Sequence, residues 1–178
     1  IAGDLIKERT GTQLIASGDN RLNMNTREGG SQPKEYTSKY LADRVRNTST
    51  VWMASTLGCS ECHDHKFAPI RQTDYYRTAS IFWSGYIGQG NLGGPSNKQL
   101  GLDVFGWTDR GRTADPIRLL IKGERHQPGE IIEPATLSSI PALEKKLAPP
   151  PAESKTTHRR LQFAQWITLP DHPLTARV

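Results

Sequence analysis

Both cysteines of the chain lie in one run of five residues, Cys59-Ser60-Glu61-Cys62-His63. Two thiols two residues apart, followed at once by an imidazole, are the pattern of a covalent c-type haem, whose vinyl groups form thioethers with the thiols and whose iron binds the imidazole. One tight turn can present both sulfurs to neighbouring edges of the porphyrin and leave the next residue under the metal. The pattern predicts one haem c per chain, attached through Cys59 and Cys62, with His63 as the proximal ligand.

Other sites use the same residue types, and the sequence leaves them open. A Cys-x-x-Cys pair can be a redox dithiol, a structural disulfide or half of a zinc site. The βαβ context of a thioredoxin-like dithiol is missing here, and no third cysteine exists to complete a Cys-rich zinc site. A Cys2His2 site that uses His63, His65 or another histidine stays an alternative.

A long helix is predicted to lead into the motif. Leu41, Val45 and Trp52 recur at helical intervals in a segment that starts at Lys34, and Gly58 is a suitable C-terminal stop. The haem would then lie at the end of a helix whose apolar face can hold one side of the porphyrin.

A second helix is predicted after the motif, from Thr73 to Trp83. It is the most aromatic stretch of the chain and contains Tyr75 and Tyr76. We expect these two tyrosines, together with Trp52 of the first helix, either to fill the core or to pack against the haem.

Composition favours a mainly α fold with long loops and a small β element. The chain has 178 residues, 35% of them hydrophobic, with 16 Gly and 12 Pro. A low hydrophobic fraction with this much Gly and Pro is typical of extensive loop structure, and a large flat cofactor would add apolar surface that the side chains lack. The length suits one modest domain or parts of two.

Three regions are predicted along the chain. Residues 1–90 contain the predicted haem site, residues 91–115 form a Gly-rich connection of the kind that marks a domain boundary, and residues 116–178 follow it. The last region is expected to contain a strand at 117–122, a Pro-rich linker at 141–151 and a helix at 157–168 with Thr157 as its N-cap.

The charge pattern excludes some function classes. The net charge is +5, but basic and acidic residues are interspersed and no Lys/Arg run resembles a nucleic-acid-binding tail. Docking onto an acidic partner or an anionic polysaccharide stays open. No stretch of eighteen apolar residues occurs, so no transmembrane segment is predicted. The given residues contain no signal-peptide pattern. Because haem is joined to Cys outside the cytoplasm, the haem prediction implies a periplasmic or cell-surface location.

The chain resembles a family of large extracytoplasmic planctomycete proteins, in which a planctomycete cytochrome c type domain precedes a second domain of unknown function. The matching residues are Ala2-Gly3-Asp4-Leu5, Glu28-Gly29-Gly30, Tyr40 to Arg46, Gly58-Cys59-Ser60-Glu61-Cys62-His63-Asp64-His65-Lys66-Phe67, Asp74-Tyr75-Tyr76, Pro128-Gly129-Glu130 and Pro173-Leu174-Thr175-Ala176-Arg177-Val178. The resemblance implies that both ends of the chain are internal to a longer protein. It also implies that residues 1–90 are the C-terminal part of the haem-binding cytochrome c type domain and that residues 116–178 are the start of its partner domain. Ala68 stands where the family usually has Asp, so no role is carried over for that carboxylate.

The second axial ligand of the iron is open in the sequence. His65 is tethered too closely to His63 to reach the opposite face of the porphyrin. Members of the family that the chain resembles often have Met at the position of Met24, and the resemblance therefore favours Met24 as the distal ligand. His126 is the alternative, and a third option is an open or externally filled position. We expect His158 and His172 to face solvent.

The sequence favours an electron-transfer module over a stand-alone enzyme. Its partners would be an unidentified redox protein and the remaining segments of the same larger protein, and self-assembly is left open. The alternative is a binding or scaffold module of a large surface protein, with aromatic residues such as Trp83, Tyr86 and Trp107 against polysaccharide. A hydrolase is the weakest reading, because no Ser-centred elbow or paired-carboxylate pattern is present.

Overall fold

The structure, a computed structural model, describes residues 1–22, 30, 32–83, 85–86 and 108–178. The described part is mainly helical with a small amount of antiparallel sheet, which confirms the predicted fold class. The helices are α1 (Gly11–Ala16), α2 (Pro33–Met53), α3 (Gln72–Phe82) and α4 (Arg159–Ile167), and the strands are β1 (Gly85–Tyr86), β2 (Thr108–Asp109), β3 (Ile117–Leu120) and β4 (Pro128–Ile132). Short 3-10 turns connect several of them.

Helix α2 is the long helix that the sequence predicts, but it ends before Gly58. Its last residue is Met53, and Ala54 follows in the left-handed conformation with φ of 43°. The N–H groups of Ala54 and Ser55 both donate to the Ser49 carbonyl, the second of them at 3.0 Å, so the chain turns away from the helix axis at the left-handed residue. The predicted stop at Gly58 is therefore wrong by five residues, and Gly58 lies inside the next 3-10 turn, Leu57–Glu61.

Helix α3 lies at the centre of the hydrophobic core. Its buried residues pack against α2, the 3-10 turn Leu57–Glu61, the strands β3 and β4, and α4. The cluster includes Leu41, Tyr76, Ile132 and Trp166, so one core connects residues from both ends of the described chain. The division into regions 1–90, 91–115 and 116–178 stays a prediction, and most of the predicted Gly-rich connection falls outside the described residues.

An antiparallel hairpin packs beside α3. Strand β3 pairs with β4 in a register that sets Ile117 opposite Ile132 and Leu120 opposite Pro128. The predicted strand at 117–122 ends two residues early, because residues 121–123 form a 3-10 turn with positive φ at Lys122 and Gly123. Strand β4 is not predicted from the sequence, because the Pro128 and Gly129 at its start are typical of turns.

Backbone hydrogen bonds connect the Pro-rich segment to the residues that precede it. The Thr136 N–H donates to the Lys145 carbonyl at 3.0 Å, and the Leu147 N–H donates to the Pro134 carbonyl at 2.9 Å. Helix α4 then begins at Arg159, two residues after the predicted start, with His158 as its N-cap at φ of 58°.

A buried ion cluster joins the N-terminal segment, β2 and α4. The fully buried Arg160 guanidinium donates to both oxygens of Asp4 at 2.7 Å and to Asp109 Oδ1 at 3.1 Å. Thr157, predicted as an N-cap, instead donates its N–H and hydroxyl to Asp109 Oδ2 at 2.9 and 2.6 Å. Charges removed from water are tolerated when they are paired and hydrogen-bonded in this way.

Candidate functional site

The Cys-x-x-Cys-His segment follows α2 as the 3-10 turn Leu57–Glu61 and the residues just after it. Leu57 and Ser60 are fully buried and fix the turn to the core, whereas Cys59, Cys62 and His63 are exposed. Both cysteines are free thiols. The turn therefore holds the three residues predicted to bind haem on the surface, with its two anchoring residues inside.

Gln72, the first residue of α3, connects this turn to the β3–β4 hairpin. Its side-chain Nε2 donates to the Glu61 carbonyl and to the Leu120 carbonyl, both at 2.9 Å. Its backbone N–H donates to Asp64 Oδ1 at 2.7 Å. One residue thus ties together the segment before His63, the residue after it and the end of β3.

His63 and His65 carry their protons on opposite ring nitrogens. His63 Nδ1 lies 2.7 Å from the Asp64 carbonyl, which can only accept, so Nδ1 carries the proton and Nε2 keeps its lone pair. No described residue hydrogen-bonds to His63 Nε2. A hydrogen bond at one ring nitrogen that leaves the other free is how proteins prepare a histidine to bind a metal.

Both ring nitrogens of His65 are hydrogen-bonded. Its Nδ1 accepts from the N–H groups of Phe67 at 3.1 Å and Ala68 at 2.9 Å, so Nε2 carries the proton and donates to Thr56 Oγ1 at 2.8 Å. His65 is therefore a structural residue of the loop.

Gly123 of the hairpin turn lies against Cys62. Its φ is +73°, and a Cβ placed on it would overlap Cys62 Sγ and come within 3.4 Å of Cys62 Cβ. Only glycine fits this close approach at a positive φ without strain. The turn that carries Gly123 therefore forms one wall beside the second cysteine.

Two ionisable groups of the turn are shifted by their surroundings. Burial raises the pKa of Glu61, although the nearby Arg46 guanidinium and a hydrogen bond with Tyr75 act in the opposite direction. Burial and the neighbouring Glu61 carboxylate raise the pKa of the Cys62 thiol. Cys62 is thus less readily ionised than an ordinary thiol.

The predicted aromatic residues lie in two different places. Trp52 is on the last turn of α2 with 40% of its surface exposed. Tyr75 and Tyr76 are buried beneath the Cys-x-x-Cys-His turn with their rings edge to face at 5.0 Å, and the Tyr76 hydroxyl donates to the Glu61 carbonyl at 3.1 Å. Burial raises the pKa of Tyr76 to about 12. Their place in the core accounts for both tyrosines, and their contact with haem stays a prediction.

Of the two predicted distal ligands, His126 lies among the described residues and Met24 does not. Met24 lies outside the described residues. His126 is exposed in the β3–β4 turn, three residues after Gly123, and its N–H donates to Glu124 Oε1 at 3.2 Å. His126 therefore lies in the same turn as the glycine that contacts Cys62.

The expectation that His172 faces solvent is wrong. His172 is fully buried with its ring edge to face on Trp166 at 4.3 Å, and its Nδ1 lies 3.1 Å from Thr175 Oγ1. Burial lowers the pKa of His172. His158 is half-buried at the start of α4.

Three further observations concern the metal-site, polysaccharide and membrane alternatives. In the described part of the chain, no three His, Cys, Asp or Glu side chains are grouped as a metal site would require. Trp83 is half-buried and packs against the core, whereas Trp107 and the Tyr86 side chain are outside the description.

Across the described residues, no helix combines the length and the apolar character needed to cross a bilayer.

The first half of the sequence is similar to one known family. Residues 1–85 match the sequence model of PSCyt2, described as a protein of unknown function (DUF1549). The matched range is just under half of the chain and contains α1, α2, the Cys-x-x-Cys-His turn and α3. The resemblance to a planctomycete cytochrome c-associated domain is borne out over these residues. No curated protein and no solved structure matches the chain.

Several residues that build the site were not singled out from the sequence. Gln72 is an ordinary polar residue in the sequence, and its hydrogen bond to the Leu120 carbonyl depends on the position of the hairpin. The contact of Gly123 with Cys62 joins residues sixty-one positions apart, and the only local signal was a glycine after an apolar run.

Proposed function

We propose that the chain is a monohaem c-type module for electron transfer outside the cytoplasm. The observation that carries this proposal is the surface turn on which two free thiols stand beside a histidine whose Nε2 is available. Cys59 and Cys62 would hold the haem through thioethers, and His63 would bind its iron. A bound haem supplies one-electron redox chemistry at the iron.

The residues around the turn support such a role. Hydrogen bonds from Gln72 and Tyr76 to the Glu61 carbonyl hold the turn rigid, and the Asp64 carbonyl orients the His63 ring. Gly123 lets the hairpin turn pack against Cys62 without a side chain overlapping the sulfur. A covalently attached ring needs thiols that are held in place and an oriented ligand.

Met24 is our proposed distal ligand, with His126 as the alternative. Met/His ligation raises the reduction potential relative to bis-histidine ligation. The test is a reductive titration of the purified protein, followed optically, in the wild type, Met24→Ala and His126→Ala. We expect a reducible Soret band in the wild type and a lowered potential in Met24→Ala. An unchanged spectrum and potential in Met24→Ala, with a change in His126→Ala, would move the ligand to His126.

The electron-transfer proposal itself has a separate outcome. His63→Ala and the double variant Cys59→Ala/Cys62→Ala should lose the reducible Soret band, whereas His65→Ala should keep it with reduced protein stability. A wild-type protein without a reducible Soret band, produced together with the enzymes that attach haem to Cys-x-x-Cys-His, would overturn the proposal.

A further inference from the structure

Phe67 follows the predicted haem site by four residues, and 85% of its surface is exposed. A single exposed apolar side chain is common on protein surfaces and by itself indicates nothing. Phe67 differs because its backbone is held firmly: its N–H and that of Ala68 both donate to His65 Nδ1, and the His65 N–H donates to the Ile70 carbonyl at 2.8 Å. The backbone of the loop is therefore held in place, and the phenyl ring is exposed to solvent.

The charges around Phe67 are predominantly positive. Lys66 Nζ lies 5.1 Å from the centre of the Phe67 ring, and Arg71 at the end of the same loop is exposed. The one carboxylate in residues 64–71, Asp64, accepts the N–H of Gln72 and so caps α3. This loop therefore presents an exposed apolar ring with a cation beside it and a second exposed cation four residues after Phe67, and the carboxylate of residues 64–71 is already hydrogen-bonded.

The hairpin turn that contacts Cys62 also carries exposed cations. Lys122 and Arg125 are exposed on either side of Glu124, and Gly123 between them lies against Cys62. The exposed cations of the loop and the turn number four, against two exposed carboxylates. Cations on both sides of a site attract a negatively charged surface and orient it as it approaches.

We infer that Phe67, Lys66 and Arg71 form a docking surface for an acidic protein that exchanges electrons at this site. The phenyl ring would enter an apolar recess on the partner, and the two cations would face carboxylates at its edge, as in interfaces with a buried aromatic anchor and a charged rim. The inference rests on the proposed function and adds the chemistry of the partner. The partner would give up or take one electron, and no bond would form or break.

The test uses a small blue-copper protein of strongly negative net charge as the probe. Its affinity for the haem-loaded and haem-free protein is measured by chemical-shift titration of the backbone amides at low ionic strength. We expect shifts at residues 64–71, and a loss of affinity of about tenfold or more both in Lys66→Glu/Arg71→Glu and in Phe67→Ser. The charge-reversed pair should also lose most of the dependence on salt, because screening acts on exposed charges.

The matched controls carry the same changes elsewhere on the surface. Lys7→Glu/Lys155→Glu reverses two exposed lysines beside the cleft between residues 2–9 and α4, and Ile15→Ser removes an apolar side chain that is 57% exposed. These variants should retain more than half of the affinity. An equal loss in Lys7→Glu/Lys155→Glu would mean that only net charge matters, and the inference would be wrong.

Two other results would also overturn the inference. If Phe67→Ser shifts the Soret band and leaves the affinity unchanged, the ring packs on the haem. If it converts a dimer into a monomer in sedimentation velocity and leaves the affinity unchanged, a second copy of the chain covers the ring. Failure of the proposed function is seen separately, as the absence of covalent haem in the wild type.

Discussion

Gly123 lies so close to Cys62 that a single added carbon would overlap the cysteine sulfur. The two residues belong to different elements, the β3–β4 turn and the turn after α2, and Gln72 hydrogen-bonds to both of these elements. The second cysteine of the predicted haem site therefore depends on a hairpin far away in the sequence.

Replacing Gly123 with alanine should strain the structure at Cys62. We expect Gly123→Ala to lower the free energy of unfolding by about 2 kcal/mol or more, from a non-glycine residue at positive φ together with overpacking. The overlap with sulfur disappears when Cys62→Ala is combined with it, and only the conformational cost remains. Urea unfolding of the two single variants and the double variant measures the coupling, and an equal cost in both backgrounds would show that the contact is not tight.

The two thiols should differ in reactivity when no haem is bound. Cys62 is flanked by Gly123, and burial together with Glu61 raises its pKa, so less of it is thiolate at neutral pH. Iodoacetamide should alkylate Cys59 several-fold faster than Cys62, as followed by peptide mass mapping. Glu61→Gln should speed the reaction at Cys62. Equal rates at the two cysteines in the wild type would contradict this arrangement.

His65 should matter more for stability than His63. Its ring makes three hydrogen bonds that fix the loop, so His65→Ala should cost about 2–3 kcal/mol in the free energy of unfolding of the haem-free protein. His63 is exposed and bonds only to the adjacent carbonyl, and His63→Ala should cost less than about 1 kcal/mol. Thermal and urea unfolding compare the two, and the reverse order would refute the assigned roles.

The buried ion cluster predicts a large effect far from the site. Arg160→Ala leaves the carboxylates of Asp4 and Asp109 without their cation inside the protein, which should cost about 3–5 kcal/mol. The control is Arg112→Ala, which removes an exposed guanidinium bonded to two carbonyls of the Pro-rich segment. It should change the stability by less than about 1 kcal/mol. Similar small effects of both changes would mean that the cluster contributes little.

Stability should fall in mild acid because of His172. Burial lowers the pKa of this residue in the native state, so the unfolded chain takes up the proton first as the pH falls below about 6.5. The contribution is fully present above that pH and declines below it, by at most about 1.4 kcal/mol per pH unit. His172→Phe keeps an aromatic ring beside Trp166 and removes the titration. Parallel plots of stability against pH for the two proteins would contradict the assignment.

The sequence predicts the helices better than it predicts their ends or the tertiary contacts. The apolar spacing of Leu41 and Val45 correctly placed α2, but its end depends on the left-handed conformation of Ala54, for which the sequence offers no glycine. His172 lies between two prolines in what looks like a surface turn, and its burial depends on Trp166 of the preceding helix. Contacts between distant segments leave no periodic signal in a single sequence.

The residues of the candidate site also divide into those that a local sequence pattern predicts and those that only tertiary contacts identify. A local motif of five residues is enough to predict the two thiols and the histidine as haem-binding residues, and that prediction rests on their spacing alone. The residues that hold them, Gln72 and Gly123, are recognised only once α3 and the hairpin have been brought beside the turn. Tyr75 and Tyr76 were assigned to core or cofactor from the sequence, and the structure shows them in the core.

Covalent haem at Cys59 and Cys62 is the central claim, and the mass of one peptide tests it most directly. The protein is produced in a periplasm together with the enzymes that attach haem, denatured, digested and analysed by mass spectrometry. The account predicts that the peptide spanning residues 58–63 carries the added mass of one haem and that the Cys59→Ala/Cys62→Ala variant carries none. The same peptide recovered from the wild type with two unmodified or disulfide-linked cysteines would contradict it.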